Sequence, residues 1–359
     1  MTEKLDGKQY TVLVIMNTLG ASIIFIPSIA TIYGKENGWI TLVLSIIVGS
    51  VIILLYNQVI KVLDGKAFFP AIESLLGKWF GTIMILLFTG FVFVNSSANL
   101  WSISDFVSLQ ILMGTPFEAI SFMIIITTLI AIKYGIEVIG RTAELFFPFT
   151  MISAILLTLL VLKDADITNI QPIFQLNRTA TIVGIIPILS ITFLELVILI
   201  GISSFVNQQK SARKALLAGG ITSGLILLII TFACIAVLGV GGTIHYTYPI
   251  YALGQRISIF HFFERVEILV AFIWFFTIFI KLCVSFYVLA NGVSHLFKMK
   301  HYKALSVPLA FLLFLGSMLL VRNTLEAHTF INGSYSVLSI TIGFLFPIII
   351  LLAHYIKKV

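Results

Sequence analysis

The sequence predicts an all-α integral membrane protein with ten transmembrane helices in a single polytopic domain covering residues 1–359. The chain is 59% hydrophobic and only 10% charged, with a mean hydropathy of +1.12. A soluble domain carries roughly 25% charged residues, so this composition excludes one. Ten apolar stretches are long enough to cross a bilayer. Numbered as spans 1 to 10, they lie near residues 10–32, 38–60, 80–104, 117–133, 142–162, 182–205, 215–238, 267–294, 305–321 and 336–356.

The distribution of positive charge predicts that both termini are cytoplasmic. Lys and Arg are enriched in the cytoplasmic loops of membrane proteins. With the N-terminus inside, fifteen of the 22 Lys and Arg residues fall in inside loops and six in outside loops, and Lys281 lies within span 8. Basic loops facing anionic lipid account for the net charge of +7, so we expect a lipid bilayer and no nucleic acid as partner.

Two corresponding spans are interrupted in their middles, which predicts a binding site between two inverted repeats. Spans 1–5 and 6–10 each contain an odd number of crossings, so the halves, about 10–162 and 182–356, have opposite orientations. Span 1 is interrupted around Gly20-Ala21-Ser22, and span 6 between Pro187 and Glu195. A helix breaks at membrane depth only where protein or water accepts its freed backbone groups. Such breaks in corresponding positions indicate a site, so we expect discontinuous helices 1 and 6.

In span 1 the candidate ligand-binding residues are Gly20, Ala21, Ser22 and Ile23. Unwinding there would expose backbone N–H groups at the positive end of a half-helix, an arrangement that favours an anion such as a carboxylate. The alternative is that these small residues allow another helix to pack closely.

In span 6 the candidate ligand-binding residues are Thr192, Phe193 and Glu195. A carboxylate near the middle of a span is costly and normally has a partner or a functional role. Three interpretations of Glu195 remain open, namely proton coupling, binding of a ligand amino group, and a buried ion pair. Lys281 lies at the same depth in span 8 and is the candidate partner, although equal depth does not establish contact.

Span 3 carries a polar face that favours a third part of the site. Asn95 and Asn99 are one turn apart, and Ser102 shares their face. Amide and hydroxyl groups at this spacing bind a zwitterion, a ribose or a sugar, or they join neighbouring helices by hydrogen bonds. We include Asn99 among the candidate ligand-binding residues.

Three charges at the start of span 8, Glu264, Arg265 and Glu267, suggest an outer gate. Arg265 would pair with either acid when the gate closes, or it anchors the helix end among lipid headgroups. The chain has no P-loop, HExxH motif or nucleophile elbow, and its six His are dispersed. The sequence therefore predicts no enzyme, no catalytic residue, no cofactor and no metal site.

Four local strings carry a family resemblance that extends over nearly the whole chain. They are LGASIIFIP at 19–27, NIQPIF at 169–174, FLE at 193–195 and FFERVEILVAFIWFFTIFIK at 262–281. In the order and spacing of these strings, the chain resembles the B subunits of spore germinant receptors. That family is a branch of the amino acid–polyamine–organocation superfamily, whose members share the LeuT-type fold of five plus five helices.

The resemblance implies a germinant-sensing subunit of the spore inner membrane. A small nutrient, an amino acid first and a nucleoside or sugar as alternatives, would bind between spans 1, 3, 6 and 8. The signal would pass to an A subunit and a lipoprotein C subunit. Members of this fold also hold a cation between helices 1 and 8, where the Lys281 ammonium would remove the need for sodium. The alternative functions are a proton-coupled amino acid transporter and a structural member whose cavity is filled by Phe193 or Trp101.

Overall fold

The structure, a computed structural model, describes residues 4–175, 177–256 and 267–358. These residues are almost entirely helical, and their only β pairing is a single bridge between Leu5 and Val206. The α-helices are α1 Gly7–Gly34, α2 Gly38–Leu63, α3 Phe68–Leu76, α4 Lys78–Phe106, α5 Phe117–Tyr134, α6 Ile136–Val161, α7 Arg178–Thr192, α8 Val197–Ile200, α9 Gln209–His245, α10 Pro249–Arg256, α11 Glu267–Leu296, α12 Ser306–Leu320, α13 Thr324–Phe330, α14 Ser336–Ile340 and α15 Phe346–Lys358.

Each predicted span corresponds to one helix or to a consecutive group of helices. Spans 1 to 5 are α1, α2, α4, α5 and α6; span 6 is α7 with α8; spans 7 to 9 are α9, α11 and α12. Span 10 is α13 to α15 and begins at Thr324, twelve residues before its expected start. Eight stretches of the described residues are long and apolar enough to cross a membrane, and the first of them, Gly7–Leu63, contains both α1 and α2. The helix Ser306–Leu320 is apolar but shorter. The helical membrane fold is confirmed, and the count of ten crossings stays a prediction.

Helix α1 lies at the centre of the bundle. Its residues from Val12 to Thr31 are all buried, and it packs against α7, α9 and α11. Because this burial covers every side of the helix, α1 is enclosed by other helices and does not face lipid. By contrast, α6 exposes large apolar side chains such as Leu145 and Phe149, as expected of a helix that faces lipid.

The predicted discontinuity in span 1 is wrong. Helix α1 continues without interruption through Gly20, Ser22 and Pro27. Gly20 is needed for close packing, because a Cβ at this position would lie 2.6 Å from Cδ of Lys281. The small residues of span 1 therefore allow close packing, and they do not unwind the helix.

The predicted discontinuity in span 6 is confirmed. Helix α7 ends at Thr192, a 3₁₀ turn covers Leu194–Leu196, and α8 follows directly. Three carbonyl oxygens around this break accept hydrogen bonds from side chains of α1 and α2: Ile191 from Ser22 Oγ at 2.9 Å, Leu194 from the Tyr56 hydroxyl at 3.1 Å, and Leu199 from the Tyr10 hydroxyl at 2.9 Å. The break is stable at membrane depth because neighbouring helices supply these donors.

Span 10 contains two π-helical segments, Ile331–Tyr335 and Thr341–Leu345. In the second, a Cβ on Gly343 would lie 2.7 Å from Cβ of Leu194, so span 10 packs directly on the break in span 6. The Gly343 carbonyl accepts a hydrogen bond from the Tyr56 hydroxyl at 2.7 Å. One tyrosine of α2 therefore joins both irregular segments.

Candidate functional site

Glu195, in the 3₁₀ turn of span 6, forms an ion pair with Lys281 of α11. Lys281 Nζ contacts Glu195 Oε2, and the two residues are only 1% and 3% exposed. Of the three interpretations of Glu195, the structure shows the buried ion pair. Each charge requires the other, because an unpaired charge in this apolar interior would be strongly unfavourable.

Lys281 reaches Glu195 by crossing the surface of α1 at Gly20. The aliphatic part of the lysine lies against this glycine, where a Cβ would meet Cδ at 2.6 Å and Cβ at 3.2 Å. The backbone that was expected to unwind and bind a carboxylate is therefore helical and covered by a side chain.

A chain of hydrogen bonds extends the ion pair to two further elements. The Tyr335 hydroxyl donates to Glu195 Oε1 and accepts from Asn95 Nδ2 at 2.7 Å. Asn95 Oδ1 in turn accepts from Asn99 Nδ2 at 2.9 Å and from Ser285 Oγ at 3.1 Å. The network connects α4, α11, the break in span 6 and the first π-helical segment of span 10, so a change at one member affects the others.

Tyr335 was not predicted from the sequence. It is the last residue of the π-helical segment Ile331–Tyr335, and π-helical segments occur frequently at functional sites. The sequence places Tyr335 just before the expected start of span 10, after Asn332-Gly333-Ser334, with no acidic or basic residue within one helical turn. A regular α-helical register would not have indicated which way this side chain points.

A small cavity lies beside the network. Its polar wall includes Asn99, Ser102, Glu195 and Tyr335, and its apolar wall includes Ala21, Trp101 and Phe330. The volume open to the centres of water molecules is ≈ 30 Å³. About 10–15 Å³ is enough for one water, so the cavity holds roughly two and is too small for an amino acid.

The predicted ligand-binding residues divide into two groups. Ala21, Asn99 and Glu195 line the cavity. Gly20 lies under the Lys281 side chain, and Ser22 Oγ donates to the Ile191 carbonyl. The ligand contacts predicted for these five residues, and for Ile23, Thr192 and Phe193, stay predictions.

Ile23, Thr192 and Phe193 are buried but do not line this cavity. The Phe193 ring packs between α2 and α9, against Gly49 and Gly224. Phe193 is therefore not the side chain that fills the site, whereas Trp101 does form part of its wall.

The predicted outer gate falls largely on residues that the structure does not describe. Glu264 and Arg265 lie outside the described residues. Glu267 is the first residue of α11, and its backbone approaches Gly254 of α10 closely. The pairing of Arg265 with either acid stays a prediction.

Solved transporter structures share this fold. MhsT in complex with L-phenylalanine is similar with a TM-score of 0.70 and 15% identity, covering 98% of this chain and 99% of that one. MHP1, a nucleobase-cation-symport-1 family transporter in a closed conformation with bromovinylhydantoin bound, is similar with a TM-score of 0.67 and 13% identity, covering 93% and 76%. At these identities the likeness concerns the fold alone, and it confirms the LeuT-type architecture.

Curated relatives from Bacillus subtilis (strain 168) are similar over most of their length. Spore germination protein YndE is 27% identical over 311 residues, which cover 83% of this chain and 83% of that protein. Spore germination protein KB is 22% identical over 329 residues, which cover 90% and 87%. The family described as "Spore germination protein" matches residues 4–325. The chain therefore belongs to the spore germination protein family.

Proposed function

We propose that this chain is the germinant-sensing membrane subunit of a spore germinant receptor. Its ligand, a small nutrient and first of all an amino acid, binds in the cavity between α1, α4, the break in span 6 and span 10. The observation that carries this proposal is a buried polar network in which Glu195, Tyr335 and Asn95 line that cavity and Lys281 pairs with Glu195 from behind them. Family membership supports the same function.

The polar wall suits the ammonium group of an amino acid. Asn99 donates its Nδ2 to Asn95, which leaves its Oδ1 to accept a hydrogen bond from a ligand. Glu195 lines the same space, where the Lys281 ammonium balances its charge. The apolar residues of the lining, Ala21, Trp101 and Phe330, favour a short apolar side chain.

The size of the cavity links binding to a conformational change. A space of ≈ 30 Å³ cannot admit an amino acid unless its walls move apart. A ligand that binds only the expanded state shifts the equilibrium towards that state, by as much as its affinities for the two states differ. In the proposed receptor, the partner A and C subunits in the spore inner membrane detect this shift.

A proton-coupled amino acid transporter is the second candidate. The structure contains a buried carboxylate shared between an ammonium and a phenol, and the similar solved structures are transporters. Transport requires Glu195 to exchange its proton during each cycle, whereas a receptor requires only that the walls of the cavity move.

The proposal is tested by measuring how a panel of radiolabelled amino acids, nucleosides and sugars binds to the purified protein. Uptake of the same compounds into proteoliposomes is followed in the same preparation. Saturable binding without accumulation supports the receptor, and accumulation driven by a pH gradient supports the transporter. Absence of binding by the protein, both alone and with its co-purified partner subunits, would contradict both.

A variant of Asn99 with a matched control locates the ligand. Asn99→Leu removes an amide from the cavity wall and should weaken binding about tenfold or more, because hydrogen bonds to charged groups contribute about 1.5–3 kcal/mol. Asn291→Leu makes the same change on α11, outside the cavity, where the amide donates to the Tyr287 carbonyl. Equal affinities of the two variants would move the ligand elsewhere.

A further inference from the structure

A hydrogen-bonded cluster lies one helical turn beyond the cavity, towards the end of the bundle that the charge distribution places outside. Asp105 follows the cavity residue Ser102 by three positions in α4, and Thr324 precedes the cavity residue Ala327 by three positions in α13. A helix rises about 5 Å per turn, so both residues lie about one turn farther out than the cavity wall.

Tyr248 joins these two helix ends. Its hydroxyl donates to Asp105 Oδ2, and Thr324 Oγ1 lies 3.4 Å from the same oxygen. Tyr248 precedes α10 and is only 4% exposed. Burial, followed by the neighbouring Asp105, raises the pKa of the Tyr248 phenol well above its usual value, so the hydroxyl keeps the proton that it donates.

An aromatic cluster surrounds this hydrogen bond. The Phe106 ring, next to Asp105, makes edge-to-face contacts with Tyr248 at 5.2 Å, Tyr251 at 5.3 Å and Trp274 at 4.5 Å between centroids. The contacts bring together the end of α4, the segment around α10, and α11. Because Phe106 follows the cavity residue Ser102 by four positions in α4, these packed rings lie about one turn farther out than the cavity wall.

We propose that the Tyr248–Asp105 hydrogen bond is a latch that closes the germinant cavity on its outer side and limits how often a ligand can enter. The inference rests on the proposed function of that cavity as the binding site. The latch lies between α4 and the segment before α10, so opening it lifts this segment from the Phe106 ring. Asp105 and Tyr248 act on the ligand through access and do not contact it.

Tyr248→Phe isolates the latch because it keeps the ring on Phe106 and removes only the donor. The loss of a hydrogen bond to a carboxyl oxygen in a half-buried position should raise the open population about tenfold. The control Tyr246→Phe makes the same change two positions earlier, where the tyrosine is exposed and packs its ring on His245.

The open population can be measured without a ligand. A Ser102→Cys substitution places a thiol in the cavity wall, and its rate of modification by a small charged methanethiosulfonate reports how often the cavity opens. The full-length protein in nanodiscs serves for the assay. The protein without this substitution gives the background from the buried Cys234 and Cys283. Tyr248→Phe should increase the modification rate about tenfold, and Tyr246→Phe should leave it unchanged.

A second variant keeps the test decisive if Tyr248→Phe does not fold. Asp105→Asn retains the size of the side chain but is a weaker acceptor, so it should increase the rate by a smaller factor. The double variant should be no faster than Tyr248→Phe alone, because both changes act on the same hydrogen bond. Four outcomes would overturn the latch. The Ser102→Cys protein without further changes is modified rapidly, or Tyr248→Phe and Tyr246→Phe give equal rates. Alternatively, Asp105→Asn leaves the rate unchanged, or the effects of Tyr248→Phe and Asp105→Asn add.

The latch and the proposed function fail in different assays. If the protein binds no nutrient but Tyr248→Phe accelerates the modification, the latch is supported and the proposed function is not. If the protein binds an amino acid but Tyr248→Phe does not accelerate the modification, the proposed function is supported and the latch is not.

Discussion

Spans 1 and 6 occupy corresponding positions in the two halves of the chain, and the apolar sequence of each is interrupted near its middle. Only in span 6 is the helix itself broken. Helix α1 remains regular through Gly20, whereas α7 stops at Thr192 and a 3₁₀ turn begins two residues later. The carbonyls around the span 6 break accept hydrogen bonds from Ser22, Tyr56 and Tyr10. At Gly20 the missing side chain makes room for Lys281 instead.

The comparison shows that an interruption in an apolar sequence at membrane depth has two different uses. In span 6 the backbone itself opens, and neighbouring helices satisfy the freed carbonyls. In span 1 the backbone stays helical, and the absence of a side chain at Gly20 leaves room for the Lys281 side chain. The two uses meet at Glu195, which lies in the broken segment and pairs with the lysine that crosses the unbroken one.

The largest effect should come from breaking the ion pair that links the two spans. Lys281→Met leaves Glu195 buried without a counter-charge, which should cost about 3–5 kcal/mol and lower the Tm of the purified protein strongly. The double variant Lys281→Met with Glu195→Gln should recover most of the loss, because no unpaired charge remains. Lys61→Met, at an exposed lysine of α2, is the control. A Tm for Lys281→Met equal to that of Lys61→Met would show that the pair is not needed.

A substitution at Gly20 tests the use of bare backbone in span 1. Gly20→Ala places a methyl group 2.6 Å from Cδ of a lysine whose far end is held by Glu195, so overpacking should cost about 1–3 kcal/mol and displace the ion pair. Gly90→Ala is the matched control, since a Cβ there would meet nothing within 4 Å. Chemical denaturation of both variants in detergent measures the difference. Indistinguishable stabilities would mean that the lysine does not depend on this glycine.

Removing one donor from the break in span 6 should have a smaller effect. Tyr56→Phe leaves the carbonyls of Leu194 and Gly343 without this hydroxyl. Hydrogen bonds in a membrane interior contribute about 0.6–1.7 kcal/mol, so we expect a loss in that range. Tyr134→Phe, at an exposed position, should change nothing. Amide hydrogen exchange of residues 193–200 should also accelerate in Tyr56→Phe, and unchanged exchange there would speak against the role of the tyrosine.

The smallest expected effect concerns sodium. Lys281 of α11 crosses α1 at Gly20 and its ammonium pairs with Glu195, so a fixed positive charge already lies beside these helices. Nutrient binding should therefore have the same dissociation constant in sodium and in choline buffers, measured on the same preparation. A requirement for sodium would place a cation site elsewhere in the protein.

The helical elements of this chain were predictable because hydropathy is a local property. Span 2 was expected over 38–60 and is Gly38–Leu63, and span 8 was expected over 267–294 and is Glu267–Leu296. The equal depths of Glu195 and Lys281 followed from position along each span. That these two side chains make contact depended on which helices are neighbours, which the order of spans does not reveal.

Composition and local pattern alone determined that this is a helical membrane protein with a carboxylate and a lysine near the middles of spans 6 and 8, and they predicted the break in span 6. The resemblance of four local strings indicated the family. Only the tertiary structure decided that span 1 stays helical, that Phe193 turns away from the cavity, and that a π-helical segment brings Tyr335 to Glu195. The reason is that backbone continuity and side-chain direction depend on which donors, charges and free volumes the neighbouring helices supply, and these come from residues distant in the chain.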